Sequence, residues 1–384
     1  MRTLLIINFL FLYLLHFSQS PAFLWAEKFA GQSTLAKGNS IKTDVLGNIY
    51  TTGHFSGIVD FNPGAGTFTI NSVPSLNNDI YISKLDIDGN YIWAKAFGGI
   101  GNETGLSIAV DLFGNVYACG IFSTTADFDP GPGSFSLTSN GGYDAFILKL
   151  DPSGNFLWAK SFGGSSHDYA NNLTLGANDN LHVCGSFVGT VDFDPGVGTY
   201  NLTGPDDAFI LKLDKDGNFI WAKNIGGTVG ASARALSLDG TGNIFITGPY
   251  AGIVDFDPNA GNYTLTSSGQ LDVFVEKLDN SGNFIWAKGM GGVENEDAFS
   301  LALDQNGNVL TTGYFRGNSD FDPGAGTFSL SASTIRSHIY VSKLDANGNF
   351  VWAKGFVGNG AGGSPKNNIG HSIAVDGSGN VFTT

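Results

Sequence analysis

Six tryptophans punctuate this chain, at Trp25, Trp93, Trp158, Trp221, Trp286 and Trp352, with gaps of 68, 65, 63, 65 and 66 residues. They are its only tryptophans, and each sits in one recurring phrase. It reads N-F-L-W-A-K at 155–160, N-F-I-W-A-K at 218–223 and 283–288, and N-F-V-W-A-K at 349–354. A fixed period of this size means one supersecondary unit copied and stacked. The repeat also constrains chemistry, because a catalytic site needs a one-off constellation and a repeat supplies the same residue many times.

One unit shows what is copied. Residues 107–111 and 116–122 read as two short strands around a turn at Phe113, Gly114 and Asn115. A Gly/Pro loop follows from Asp127, and residues 145–150 and 156–162 read as a third and fourth strand around a second turn. Both turns carry D-x-x-G-N, which begins at Asp44, Asp86, Asp111, Asp151, Asp214, Asp239, Asp279, Asp304, Asp345 and Asp376. The Asp side chain can bond the turn backbone, and the Gly can take the positive φ that closes a type I turn with a bulge. One copy departs, with Ala177-Asn178-Asp179-Asn180 placing Asp where Gly is expected. Asp tolerates that conformation better than most residues, so this turn is expected to survive with strain.

The strands are apolar on both faces: Phe146, Leu148 and Leu150 point one way, Ala145 and Ile147 the other. Sheets buried on both sides are expected when small sheets stack around an axis. The expectation is an all-β protein: a β-propeller of about six four-stranded blades forming one domain over 23–384, with the last blade truncated. Residues 23–29 form a fourth strand with no blade before it. It is expected to pair with the last blade near 372–384 and close, or nearly close, the ring. The sequence stops inside a strand phrase, which reads as a piece of a longer chain.

The first 22 residues read as a signal peptide. Arg2 precedes an apolar stretch too short for a comfortable span, and Ser20-Pro21-Ala22 offers small residues for cleavage. No second long apolar run follows, so export without a membrane span is expected. Removing the segment takes away Arg2 and leaves 18 basic against 34 acidic residues. That balance argues against nucleic-acid partners and anionic membranes, which need basic patches. Cys119 and Cys184 occupy matching places in successive units, beyond disulfide reach, and are expected to stay unpaired.

The phrase D-A-F-I-L-K-L-D at 144–151, its partner at 207–214 and the W-A-K-x-F-G-G that follows resemble the bacterial β-propeller repeat called SBBP. The D-x-x-G-N turns are also similar to those of NHL-type blades. The resemblance covers nearly the whole chain beyond the leader. It implies a propeller in an exported or surface protein of the kind found in Bacteroidota, and it implies no activity.

Candidate site residues are therefore repeated ones. D-F-D-P-G places Asp127 with Asp129, Asp192 with Asp194, and Asp320 with Asp322; Asp255 with Asp257 belongs to a variant ending in Asn259, and Asp60 to one with Asn62. Carboxylates two apart on an extended segment point the same way, and with free loop carbonyls they make a hard-oxygen set suited to Ca²⁺. The competing reading is a capped turn with a packed Phe. Two Lys rows, Lys84, Lys149, Lys212, Lys277, Lys343 and Lys95, Lys160, Lys223, Lys288, Lys354, read as solvated strand ends or as an anion-binding ring. No nucleophile, zinc or phosphate motif is present. The function expected is non-catalytic: binding, adhesion or display toward an unidentified protein or glycan. A secreted hydrolase or lyase built on a propeller and a purely structural repeat are the rival classes. The discriminating feature would be a residue unlike its repeat mates beside a pocket; Glu294, Glu296, His167 and Arg316 are the first to inspect.

Overall fold

The computed structural model describes residues 26, 28–73, 77–357 and 367–384. The segment read as a signal peptide, and residues 23–25 of the expected orphan strand, lie outside them. The chain is a β-propeller. Blade two shows the plan: Thr104–Val110, Val116–Asp127, Ser136–Leu150 and Phe156–Phe162 pair antiparallel in chain order. Blade three repeats it with Tyr169–Leu175, Leu181–Asp192, Asn201–Leu213 and Phe219–Gly227. Blades one, four and five follow suit, and a sixth contributes Ile373–Val375 and Val381–Thr383. Among the described residues the only helix is a single 3-10 turn, Ala177–Asp179.

All ten D-x-x-G-N turns form as the sequence predicts. In each, the Gly has positive φ, from 74° to 86°. The Asp Oδ1 accepts the N–H groups two and four residues on, and Oδ2 accepts the Asn side chain, as at Asp151 with Ser153 and Asn155. The departing copy also forms, with Asn178 and Asp179 both left-handed at φ 61° and 56°.

The Gly/Pro loop departs from expectation. The second strand does not end at Phe122 but runs on to Asp127 and pairs with a third strand that starts at Ser136. The resulting hairpin reaches the preceding blade, where Ala126 and Asp127 pair with Gly99 and Gly98. Blades four and five repeat this strap with Gly227–Val254 and Gly292–Ser319 pairs. The second Gly of each G-G is required: a Cβ on Gly99, Gly227 or Gly292 would fall 2.0–2.1 Å from a backbone oxygen of the strap.

The repeated large side chains also join blades. Trp93 donates its indole N–H to Pro152 O (3.2 Å), in the next blade's turn. Trp158, Trp221 and Trp286 press on the turn glycines Gly217, Gly282 and Gly348. Phe128 of the D-F-D-P-G phrase is buried between Phe122 and Phe146, with ring centroids 5.5 and 5.0 Å away, and equivalent triads recur in the other blades. The first Lys row is not solvated: Lys84, Lys149 and Lys212 are buried. Their ammonium groups bond the next blade's turn carbonyls at Pro152, Lys215 and Asn280.

The first strands surround a central channel, tied by side chains one blade apart. Ile108 N–H donates to Ser40 Oγ, Leu173 to Ser107 Oγ, Leu236 to Asn172 Oδ1 and Ile373 to Ser300 Oγ, at 3.2–3.4 Å. The series skips one step because Ala235 stands where the others carry Ser or Asn. Cys119 and Cys184 are buried and unpaired, as expected. Their thiols donate to the next blade, at Ala170 O in its first strand and at Ala233 O just before its first strand.

Described residues toward both ends of the sequence, Phe29 and His371–Ile373, line this channel. Ala30 and Gly31 pair with Asp60 and Val59, the pairing that Gly98 and Gly99 make with the next blade's strap. Phe29 packs on Phe61 and Tyr81 as Phe162 packs on Phe193 and Phe209. The segment before Ala30 therefore enters where a preceding blade's fourth strand would. Among the described residues no strand pair joins this segment to 372–384, although both ends line the same cavity.

Candidate functional site at the channel mouth

The D-F-D-P-G carboxylates act on their own backbone. Asp127 Oδ1 accepts N–H from Asp129 (3.0 Å) and Phe135 (2.8 Å), while Asp129 Oδ1 accepts from Gly131 (2.8 Å). Asp192 with Asp194, Asp255 with Asp257, and Asp320 with Asp322 repeat this geometry. Among the described residues, no cluster of three or more acidic, His or Cys side chains is arranged to hold a metal.

A second acidic set was not recognised as repeated. Glu103, Asp168 and Glu296 each fold back to accept the N–H of the second Gly of a G-G pair: Gly99 (3.2 Å), Gly164 (2.7 Å) and Gly292 (2.9 Å). Glu296 is therefore a repeat mate and not a one-off. Across the glycines lie Asp79, Asp144 and Asp272, whose carboxyl groups fill the space a Cβ on Gly98, Gly163 or Gly291 would take. Blade five makes the coupling visible: where His338 replaces this Asp, Val357 replaces the Gly. Burial raises Asp79 to about 7 and Asp144 and Asp272 to about 6. Burial, with the Asp79 charge adding, raises Glu103 to about 8. These acids pack behind the strap, away from the channel.

The residues that differ from blade to blade converge elsewhere. One position of the first strand, immediately before the Ser/Asn ties, reads Asn39, Leu106, Asn171, Arg234, Phe299 and His371 round the six blades. Its neighbours along the strand are nearly constant: Gly or Ala before, and Ser, Asn or Ala after. All six residues line one cavity of about 580 Å³ on the propeller axis.

Half of that rim forms a contiguous cluster. The Arg234 guanidinium lies 5.9 Å from the Phe299 ring centroid and 3.5 Å from Asp297 Oδ2. The His371 ring is 5.8 Å from Phe299 on another side. Tyr314 is 6.1 Å from Phe299, and Arg316 lies 5.6 Å over Tyr314. Arg234 and Arg316 thus both lie against this aromatic surface. Arg234 Nε has no hydrogen-bond partner. Burial raises Asp297 to about 6 even with Arg234 opposing it.

Of the residues singled out from the sequence, Arg316 belongs to this cluster. His167 lies in blade three, accepting the Tyr143 N–H at Nδ1 (3.0 Å) and packing on Tyr169. Glu294 packs by Gly317. Arg234, Phe299 and His371 were missed. The available signal was divergence at one position flanked by constant ones.

No family model matches the chain. Similar curated proteins include an uncharacterised WD repeat-containing protein of Acanthamoeba polyphaga mimivirus, 24% identical over 274 residues, covering 61% of this chain and 19% of that one. Another is the regulatory protein FlaEY of Caulobacter vibrioides, 24% identical over 218 residues, covering 54% and 22%. The chain thus spans about a fifth of the length of these relatives. Among solved structures, a protein of unknown function from Bacteroides caccae aligns with a TM-score of 0.36 at 10% identity, covering 83% of this chain and 82% of that one. The extracellular domain of a hybrid two-component system from B. thetaiotaomicron aligns with a TM-score of 0.25 at 16% identity, covering 90% and 51%. The fold and the WD-repeat likeness define the class as a repeat β-propeller. Among the described residues no helix is long and apolar enough to cross a membrane.

Proposed function

We propose that this chain is a non-catalytic binding propeller of the SBBP repeat type, exported or held at the cell surface, that takes a glycan or protein segment at its channel mouth. The observation that carries the reading is the rim position itself: blades that agree on their ties and turns disagree there, around the axial cavity. Rim variation on a constant scaffold is how one fold acquires a specific site. A guanidinium, an aromatic face and amide groups suit a polar ligand with an apolar side. The leader-like residues 1–22 support export.

Binding to glycan and peptide arrays tests this. Arg234→Ala and Phe299→Ala are expected to weaken the parent's hits by at least about tenfold, the loss of roughly 1.4 kcal/mol, with melting temperature little changed. Hits that survive both substitutions at full strength would place the site elsewhere.

Weak calcium binding at the D-F-D-P-G loops is a separate part of the proposal, supported by their repeated paired carboxylates. Millimolar Ca²⁺ is expected to raise Tm, as native-state binding does, and Asn at Asp127, Asp192, Asp255 and Asp320 to remove the rise. An equal shift in the variant, or none in the parent, would leave these loops as turns alone.

A further inference from the structure

Blade three has lost a carboxylate and kept much of what held it. In blades one, two, four and five the first hairpin opens with Asp44, Asp111, Asp239 or Asp304. Beyond its turn donors, each of these carboxylates faces groups from its own blade. The Tyr50 hydroxyl is 3.1 Å from Asp44 Oδ2, and the Tyr117 hydroxyl 3.4 Å from Asp111 Oδ2. Lys277 Nζ is 4.0 Å from Asp239 Oδ2, and Lys343 Nζ 2.8 Å from Asp304 Oδ2. The equivalent residues in blade three are Gly176 for the Asp, His182 for the Tyr, and Lys212, with Asn180 retained as the turn amide.

A cavity of about 380 Å³ opens at this place, lined by Gly176, Asn180, His182, Lys212, Asn280 and Asp239, whose carboxylate is taken up by Thr241 and Asn243 of its own turn. His182 is 2% exposed, and neither ring nitrogen has a hydrogen-bond partner. Burial, then the neighbouring Lys212 charge, lowers its pKa to about 4. At neutral pH it is therefore an uncharged imidazole with one N–H to donate. Lys212 Nζ donates to Asn280 O (3.0 Å) and Oδ1 (2.6 Å), which leaves one of its three N–H bonds free. The turn backbone is left-handed at two consecutive non-glycine residues, Asn178 and Asp179.

We propose that this cavity binds a small carboxylate anion of acetate size, seated between His182 and Lys212 where the other blades place their own aspartate. The imidazole N–H and the ammonium are its donors, and the turn amides close the remaining side. The channel mouth plays no part in this site.

The test is thermal unfolding at pH 7 and constant ionic strength, with sodium acetate or formate replacing sodium chloride. A saturable rise in Tm is expected with either carboxylate, and none with phosphate or chloride. Lys212→Met is expected to lose the response. The double variant Gly176→Asp with His182→Tyr restores the Asp111–Tyr117 arrangement of blade two. It is expected to melt higher than the parent without acetate and to ignore acetate. The second substitution is needed because a Cβ on Gly176 would lie 2.8 Å from His182 Cε1. If Lys212→Met does not fold, the double variant decides alone. No acetate response in the parent, an equal response to phosphate, or a response retained in the double variant would each overturn the assignment.

Discussion

Replacing Glu276 by leucine is expected to stabilise the protein by about 2–4 kcal/mol, the scale of an unpartnered buried polar group plus the cost of holding its proton at neutral pH. Glu276 is fully buried on a third strand, and neither carboxyl oxygen has a hydrogen-bond partner. Burial, with Asp257 and Asp255 adding their charge, pushes its pKa far above the ordinary carboxylate range. Blades two and three carry Leu148 and Leu211 at the same position, both fully buried, so the site accepts the leucine shape. Urea unfolding of Glu276→Leu measures the gain. Glu276→Gln should gain much less, because its amide would be equally unpartnered. A loss of stability in the leucine variant would mean that the carboxyl group has a partner in the native state.

The melting temperature is also expected to rise as pH is lowered from 8 to about 5, the reverse of ordinary acid sensitivity. Buried carboxyl groups with raised folded-state values include Glu103 at about 8, Asp79 and Glu296 at about 7, and Asp144, Asp272 and Asp297 at about 6. The unfolded chain releases these protons near pH 4, whereas the folded chain keeps them. Between those limits the native state binds more protons, so stability falls as pH climbs, by about 1.4 kcal/mol per unit for each group not yet past its folded value. The turn aspartates act with the opposite sign. Burial works against Asp304, but the Lys343 ammonium and the Asn308 and Asn306 donors hold it down to about 2. Asp86, Asp151 and Asp376 are lowered too, and their contribution disappears only as pH falls through their depressed folded values. The two sets together place the maximum near pH 4–5. Thermal scans from pH 3 to 8 measure it, and a maximum at pH 7 or above would show that the G-G acids are ionised in the native state.

Much of this architecture was legible because it is local. A D-x-x-G-N turn satisfies itself within five residues, so Asp111, Gly114 and Asn115 announced a hairpin without reference to the rest of the chain. Alternation of apolar residues over a few positions likewise gave the strands. What joins one blade to the next was not legible, because each partner lies about a period away and the pattern does not name it. The G-G after W-A-K looked like a strand end; it is the landing strip for the next blade's strap. The second strand looked complete at Phe122, because the Gly/Pro composition that follows reads as loop when the partner of Asp127 is unknown. Lys84 and Lys149 looked solvated because their partners, Pro152 and Lys215, belong to the following turn. The channel rim was hidden for another reason. Repetition draws attention to what is constant, and Arg234, Phe299 and His371 are informative because they are not.

A crystallographic screen of small polar and aromatic fragments tests the central claim most directly, since it asks where the surface prefers to bind without presupposing a ligand. The account predicts that bound fragments gather at the channel mouth, stacked on Phe299 and beside the Arg234 side chain, with Arg234→Ala removing them from that place. Fragments that collect on the outer strands or the D-F-D-P-G hairpins while leaving the mouth empty would contradict it.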